Sequence, residues 1–176
     1  MQKDYKYSLY AKPFTLGNLY DTSLYQVDSF AAETLIPFGA PVIRGTDTRK
    51  QVKLATVGAT PTSFIGIALR QSQMPSGGIL APDDTGNQVV IMSTASSAYP
   101  IGAPVPVARS GRVIVFVTTV TQAIVGTTRA IYTMATGLIT TQTAEATPNT
   151  QLDLGFILTE PVAGELCAIQ INKFLQ

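Results

Sequence analysis

The chain has 176 residues and a mass of 18.7 kDa; 45% of it is hydrophobic, 13% is charged, and twelve basic side chains face eleven acidic ones, with a mean hydropathy of +0.23. That is enough chain for one domain with a sizeable core plus an arm, and the low charge with high apolar content excludes disorder of the body. The near-neutral charge argues against a nucleic-acid partner, and the longest uninterrupted apolar run, Val113-Ile-Val-Phe-Val117, is far too short for a membrane-spanning helix, so no membrane partner is expected either.

The first 34 residues differ from the rest. They carry Tyr5, Tyr7, Tyr10, Phe14, Tyr20, Tyr25 and Phe30, half of the chain's aromatics in under a fifth of its length, with little regular alternation. Two readings stand open. The rings cover the base of their own domain's core, or residues 1–34 form an extended arm lying across a neighbouring subunit. Tyrosine suits the second role because it offers rigid contact area while keeping a hydroxyl for polar partners. Within this stretch, Thr22 to Ala32 lacks Gly and Pro and is the one place where a helix is a candidate. The start, Met1-Gln-Lys-Asp-Tyr5, is polar and lacks the apolar core of a signal peptide, so synthesis in the cytosol is expected.

From residue 35 to 176 the chain reads as a single β domain. Short apolar or alternating runs fall at Gln51–Val57, Phe64–Leu69, Gln88–Met92, Val105–Ala108, Arg112–Val117, Ala130–Met134, Leu138–Thr141, Leu152–Leu158 and Glu165–Ile171. Each is bounded by Gly, Pro, Asn or Asp, and the 23 threonines favour strand over helix. The pattern predicts an all-β fold, an antiparallel β-barrel or a jelly-roll-like sandwich, with an extended N-terminal arm. Val52, Leu54, Ile65, Ile67, Val90, Val113, Val115, Ile157 and Ile169 are the predicted core. The segments Pro75 to Gly86 and Thr141 to Thr150 read as surface loops.

A weak internal repeat runs through the body. Ile36-Pro-Phe-Gly-Ala-Pro-Val42 recurs as Tyr99-Pro-Ile-Gly-Ala-Pro-Val105, with a looser echo in Val125-Gly-Thr-Thr-Arg-Ala-Ile131. Phe64-Ile-Gly-Ile-Ala-Leu69 is echoed by Leu154-Gly-Phe-Ile-Leu158. Either shared turn chemistry or a duplicated β-unit accounts for it.

Catalytic chemistry has little to work with. With no histidine there is no His base, no Ser-His-Asp triad and no His metal ligand, and a single cysteine excludes an internal disulfide and a thiolate zinc cluster. Cys167 sits among apolar neighbours and reads as a buried, inert thiol. Asp83-Asp84 lies in a turn and lacks the further oxygen ligands of a calcium loop. Asp47, Asp153, Glu160 and Glu165 are acid candidates only because acids are scarce. No phosphate-binding glycine loop is present. No catalytic, cofactor or metal site is expected, and no cofactor. Of the six arginines, Arg44 and Arg49 fall with Lys50 and Lys53 in the densest basic stretch. That stretch is a solvated strand face or a dock for an acidic protein surface.

Leu35-Ile-Pro-Phe-Gly-Ala-Pro-Val-Ile-Arg-Gly45, Phe64-Ile-Gly-Ile-Ala-Leu-Arg70 and Tyr99-Pro-Ile-Gly-Ala-Pro-Val-Pro-Val-Ala108 together resemble the cement or head-decoration proteins of tailed bacteriophages, over roughly residues 33 to 171. The resemblance implies a small, β-rich, non-enzymatic virion protein on the outer surface of an icosahedral head, made in the host bacterial cytoplasm. It would bind the phage major capsid protein, cement neighbouring subunits of the expanded shell against DNA pressure, and form a homo-oligomer, a trimer in preference to a dimer. Tyr5, Tyr7, Tyr10, Phe14, Tyr20, Tyr25, Arg44 and Arg49 are then the candidate capsid or subunit interface. The alternative is a receptor- or glycan-binding β-module of a tail or fibre, with Tyr99 and Tyr132 as candidate platforms.

Overall fold

The computed structural model describes residues 16–21, 25–59, 61–70, 80–82, 88–90 and 98–171. Among them there is no α-helix, one 3-10 turn (Pro61–Ser63) and fourteen strands. In chain order these are β1 (Gln26–Ala32), β2 (Ile36–Pro37), β3 (Pro41–Arg44), β4 (Gln51–Leu54), β5 (Phe64–Ala68), β6 (Leu80–Pro82) and β7 (Gln88–Val90). They continue as β8 (Ala98–Tyr99), β9 (Pro104–Val117), β10 (Thr119–Val120), β11 (Arg129–Thr133), β12 (Leu138–Gln142), β13 (Gln151–Ile157) and β14 (Glu165–Ile171). The all-β expectation holds.

Ten strands form one sheet in the order β1-β4-β3-β5-β9-β14-β13-β11-β12-β10, and β1 also pairs with β9. That extra pairing closes β1, β4, β3, β5 and the first half of β9 into a five-stranded ring, which removes exposed edges. The second half of β9 opens a second ring through β14, β13, β11 and β12. It closes where the chain, one residue past β9, becomes β10 and pairs parallel with β12. The Thr118 N–H, between the two, donates to the Ile139 carbonyl (2.8 Å).

The two rings repeat each other strand for strand. Each has one parallel contact, β1 with β4 and β10 with β12. Each carries the same register shift, between Val42 and Ile43 on β3 and between Ala130 and Ile131 on β11. Each has one strand glycine packed under a neighbouring carbonyl: Gly66 beneath that of Ala108, and Gly155 beneath that of Gln170. The looser sequence echo therefore marks a duplicated unit. The main difference lies between the last two strands of each ring. That connection is 158–164 in the second ring. In the first it is 69–103 and includes the β6–β7 hairpin.

Turn chemistry explains the tighter echo. Gly39, Gly102, Gly126 and Gly164 each hold φ between +71° and +83°, the left-handed region where a side chain is strained. Each is third in a four-residue turn whose last N–H donates to the first carbonyl, as Ala40 does to Pro37 (3.2 Å) and Ala103 to Pro100 (3.1 Å). Each glycine N–H then donates to the carbonyl that ends a strand: Ala68, Ala32, Ile157 and Val117 in turn. Both copies of the Pro-x-Gly-Ala phrase meet in the antiparallel β2–β8 pair, where Ile36 faces Tyr99.

The interiors follow the rings. Ala32, Val42, Val52, Ile65, Val105 and Val107 belong to one buried cluster, with Phe38 and Tyr99. Val113, Val115, Val117, Ile139, Leu154, Cys167 and Ile169 belong to the other, together with Ile43, Phe64 and Ile67 from the first ring, so the rings share a packed boundary. Of the predicted core, Val52, Ile65, Ile67, Val113, Val115, Ile157 and Ile169 are buried and Leu54 is half-buried. The side chain of Val90 lies outside the described residues.

Two expectations are corrected. Gln26–Ala32 is strand β1, not helix. It pairs with β9 from Gln26 to Ala31, and that long-range ladder outweighs the local freedom to be helical. The same pairing makes β1 a wall of the first ring. The runs Val105–Ala108 and Arg112–Val117 are one continuous strand, β9, which passes through Gly111 at φ +109° as it crosses from ring to ring. The loop 143–150 is exposed apart from the half-buried Ala146, whereas Thr141 and Gln142 belong to β12. The Pro75 to Gly86 expectation falls largely outside the described residues.

Candidate interaction surface

The described part of the N-terminal segment is tied to its own body. Residues 17–20 run antiparallel to β9: the Gly17 N–H donates to the Ile114 carbonyl (3.0 Å), the Ile114 N–H to the Asn18 carbonyl (2.9 Å) and the Tyr20 N–H to the Arg112 carbonyl (2.8 Å). Asp21 adds an ion pair with Arg112 (2.6 Å). Ile114 is buried beneath this segment. Tyr20 is half-buried and Tyr25 exposed. Tyr5, Tyr7, Tyr10 and Phe14 lie outside the described residues.

The arginines sort themselves by partner. Arg109 pairs with Asp28 (2.9 Å), Arg112 with Asp21, and Arg129 with Asp153 while also lying 5.0 Å from the centre of the Phe156 ring. Arg70 lies 5.8 Å from the centre of the Phe38 ring. These four serve the fold. Arg44 and Arg49 sit on the β3–β4 hairpin, and both are exposed. The Arg44 guanidinium donates to the Thr48 carbonyl (2.9 Å), so it braces its own loop. The Arg49 N–H donates to the Asp47 carboxylate (3.1 Å), and among the described residues its guanidinium forms no ion pair.

Glu33 anchors this hairpin from across the sheet. Its carboxylate accepts from the Thr46 N–H and the Thr46 hydroxyl (3.0 Å), with Lys53 at 3.9 Å. The Thr46 N–H is the main reason its pKa lies below the ordinary glutamate value, helped by the Thr46 hydroxyl and Lys53 and opposed by desolvation. Neither Glu33 nor Thr46 was a candidate on sequence. They are 13 residues apart and meet only because β1 pairs parallel with β4. The result is a fixed loop presenting Arg49 and Lys50 to solvent.

The remaining candidates are structural. Tyr99 is fully buried, donates its hydroxyl proton to the Leu69 carbonyl (2.6 Å), and stands edge-on to Phe38 with ring centres 4.9 Å apart. Tyr132 is buried, its hydroxyl bonds the Ala55 carbonyl (3.3 Å), and burial raises its pKa. Neither offers a face to a sugar ring, which removes the platforms of the glycan-binding alternative. Cys167 is buried with its thiol pKa raised by desolvation, and Thr159 is its hydrogen-bonding neighbour. Among the described residues no cluster of three or more Asp, Glu, Cys or His side chains is placed to hold a metal ion. Asp83 and Asp84 are outside them.

The surface is thus built for contact: exposed apolar side chains at turns, one fixed basic hairpin, and an N-terminal segment fastened along β9. The chain matches the family model described as structural cement protein (E217 gp24/Pam3 gp6) over residues 2–172, and it belongs to that family. A chain of the capsid of Myoviridae phage XM1 shares its fold, with a TM-score of 0.61 at 15% identity, covering 92% of this chain and 91% of that one. No curated protein matches by sequence.

Proposed function

We propose that this protein is a non-enzymatic structural component of a phage virion. It binds the major capsid protein on the outside of the head and cements neighbouring subunits of the expanded shell. The observation that carries the reading is the cement-family match along nearly the whole chain. The capsid origin of the structural neighbour agrees with it. The surface chemistry supports it too: charge is near neutral, so many copies pack densely without repulsion, and each weak contact is multiplied by valency.

In this reading Tyr5, Tyr7, Tyr10 and Phe14 contact a neighbouring subunit, and Tyr20, half-buried in the segment anchored on β9, borders the same contact. Tyr25 and the Arg44–Arg49 hairpin form a second contact, with Arg49 facing an acidic patch of the shell. The protein acts as a homo-oligomer, a trimer in preference to a dimer, and is made in the host cytoplasm before it joins the head. Cosedimentation with expanded and unexpanded shells, with the free protein's mass taken by light scattering, tests this. Saturable binding to the expanded shell alone is expected. Binding to neither form overturns the reading.

A further inference from the structure

The four glycine turns are equivalent in backbone but not in what covers them. The Phe38 turn is capped. Leu16 and Gly17 lie on it, so closely that a Cβ at Gly39 would meet the Leu16 side chain and a Cβ at Gly17 would meet the backbone of Gly39 and Arg70. The Arg70 N–H, two residues past the strand end Ala68, donates to the Gly17 carbonyl (2.8 Å). Phe38 is buried as a result.

Two sister turns are bare. Ile101, at the position of Phe38, is 74% exposed, and Leu35, beside the β2–β8 pair, is 58% exposed. Val125, again at the position of Phe38, is 47% exposed, and its neighbour Ile124 is 61% exposed. The residues equivalent to Arg70 are Thr34, two past Ala32, and Thr159, two past Ile157. Among the described residues neither backbone N–H donates a hydrogen bond. No charged residue occurs within 34–43, 98–108 or 118–128. Each bare turn therefore has what the capped one uses: an apolar tip, a glycine with open space over it and an N–H without a described partner on the same strand end. At the fourth turn the equivalent residue, Thr119, is already part of β10.

We infer that the Ile101 and Val125 turns are docking points for extended, uncharged apolar segments of neighbouring shell subunits, each seated as Leu16–Gly17 is seated on the Phe38 turn. An aliphatic side chain covers the turn tip, a small residue passes over the glycine, and a backbone carbonyl takes the Thr34 or Thr159 N–H. Two such points on one chain give it two grips on the shell, which is what bridging requires. The inference rests on the shell-binding reading above.

The test uses full-length protein and expanded shells, with Ile101→Asp, Val125→Asp and the control Val57→Asp, an exposed apolar tip on a similar glycine turn, Thr56–Ala59, whose Gly58 N–H donates to the Asn149 carbonyl and not to a strand end. Because the tips are exposed, all three variants are expected to keep the parent melting temperature. Each turn variant is expected to bind shells about tenfold more weakly or worse, and the control within twofold of the parent. If the parent binds shells and the turn variants bind as well, the docking assignment fails while the shell-binding reading stands. If the parent does not bind, both fail. If the turn variants instead dissociate a self-associated form, a second copy is the occupant, and if they lower the melting temperature of the free protein, its own N-terminal segment is. Either result overturns the assignment to shell segments.

Discussion

Gly66 and Gly155 sit where no side chain fits, each with its Cβ position filled by the carbonyl of the adjoining strand. Alanine at either position has to push a β-ladder apart. Gly66→Ala and Gly155→Ala are each expected to cost more than about 3 kcal/mol, the upper end of overpacking penalties, and Gly155→Ala the more, because its φ of +132° adds backbone strain that Gly66 lacks. Gly102→Ala meets open space and pays only for its positive φ, roughly 1–2 kcal/mol. Urea melts of the three variants measure the contrast. Thr128 makes the opposite case. Its hydroxyl is buried without a hydrogen bond among the described residues. Thr128→Val removes that polar atom at nearly constant shape, and a gain of about 1 kcal/mol is expected, seen as a melting temperature raised by roughly 2–4 °C.

Among the elements, the β3–β4 hairpin depends on one carboxylate. Because hydrogen bonding holds the Glu33 pKa below its unfolded value, the stabilisation is complete above the ordinary glutamate pKa of about 4.3. It is lost as pH falls through Glu33's own lower value. Amide exchange at Thr46 is expected to quicken over that acid range in the parent protein, and to be fast already at neutral pH in Glu33→Gln. The first ring's long connection makes a second prediction. The second ring closes without such an extension, so replacing residues 71–97 by a short Gly/Ser link is expected to leave far-UV circular dichroism and cooperative melting intact. Loss of the folded signal would show that the extension belongs to the ring. Most ring strands were legible in sequence because alternation and bounding Gly or Pro report a half-buried strand directly. Residues 26–32 were not, because their strand state comes from partners on β9, some eighty residues away. The duplication was visible only as its glycines, since a barrel wall accepts many apolar side chains but a carbonyl-covered position accepts only one residue. The candidate surface was half legible. Charge density picked out Arg44 and Arg49, but the Glu33–Thr46 brace and the bare turns needed the topology to bring them together.

At the scale of the whole molecule, two small rings share β9 and a packed boundary, a build expected to be stiff, and exposed apolar groups sit at the turns of Val57, Ile101, Val125 and Val162 as well as at Phe116 and Leu138 on strands. Stiffness suits a cement, because contacts held in fixed relation resist the separation of whatever they join. Arg49→Glu is expected to weaken binding to expanded shells about fivefold at low salt, the scale of an exposed ion pair worth up to about 1 kcal/mol, and less at high salt. Equal binding by Arg49→Glu at low salt would remove the acidic-patch contact. A cement acts mechanically, so the decisive measurement is the rupture temperature of expanded shells with and without saturating protein. Rupture is expected to move to higher temperature and to reach its plateau when the binding sites are filled. Saturated shells that rupture at the same temperature as bare ones would contradict it.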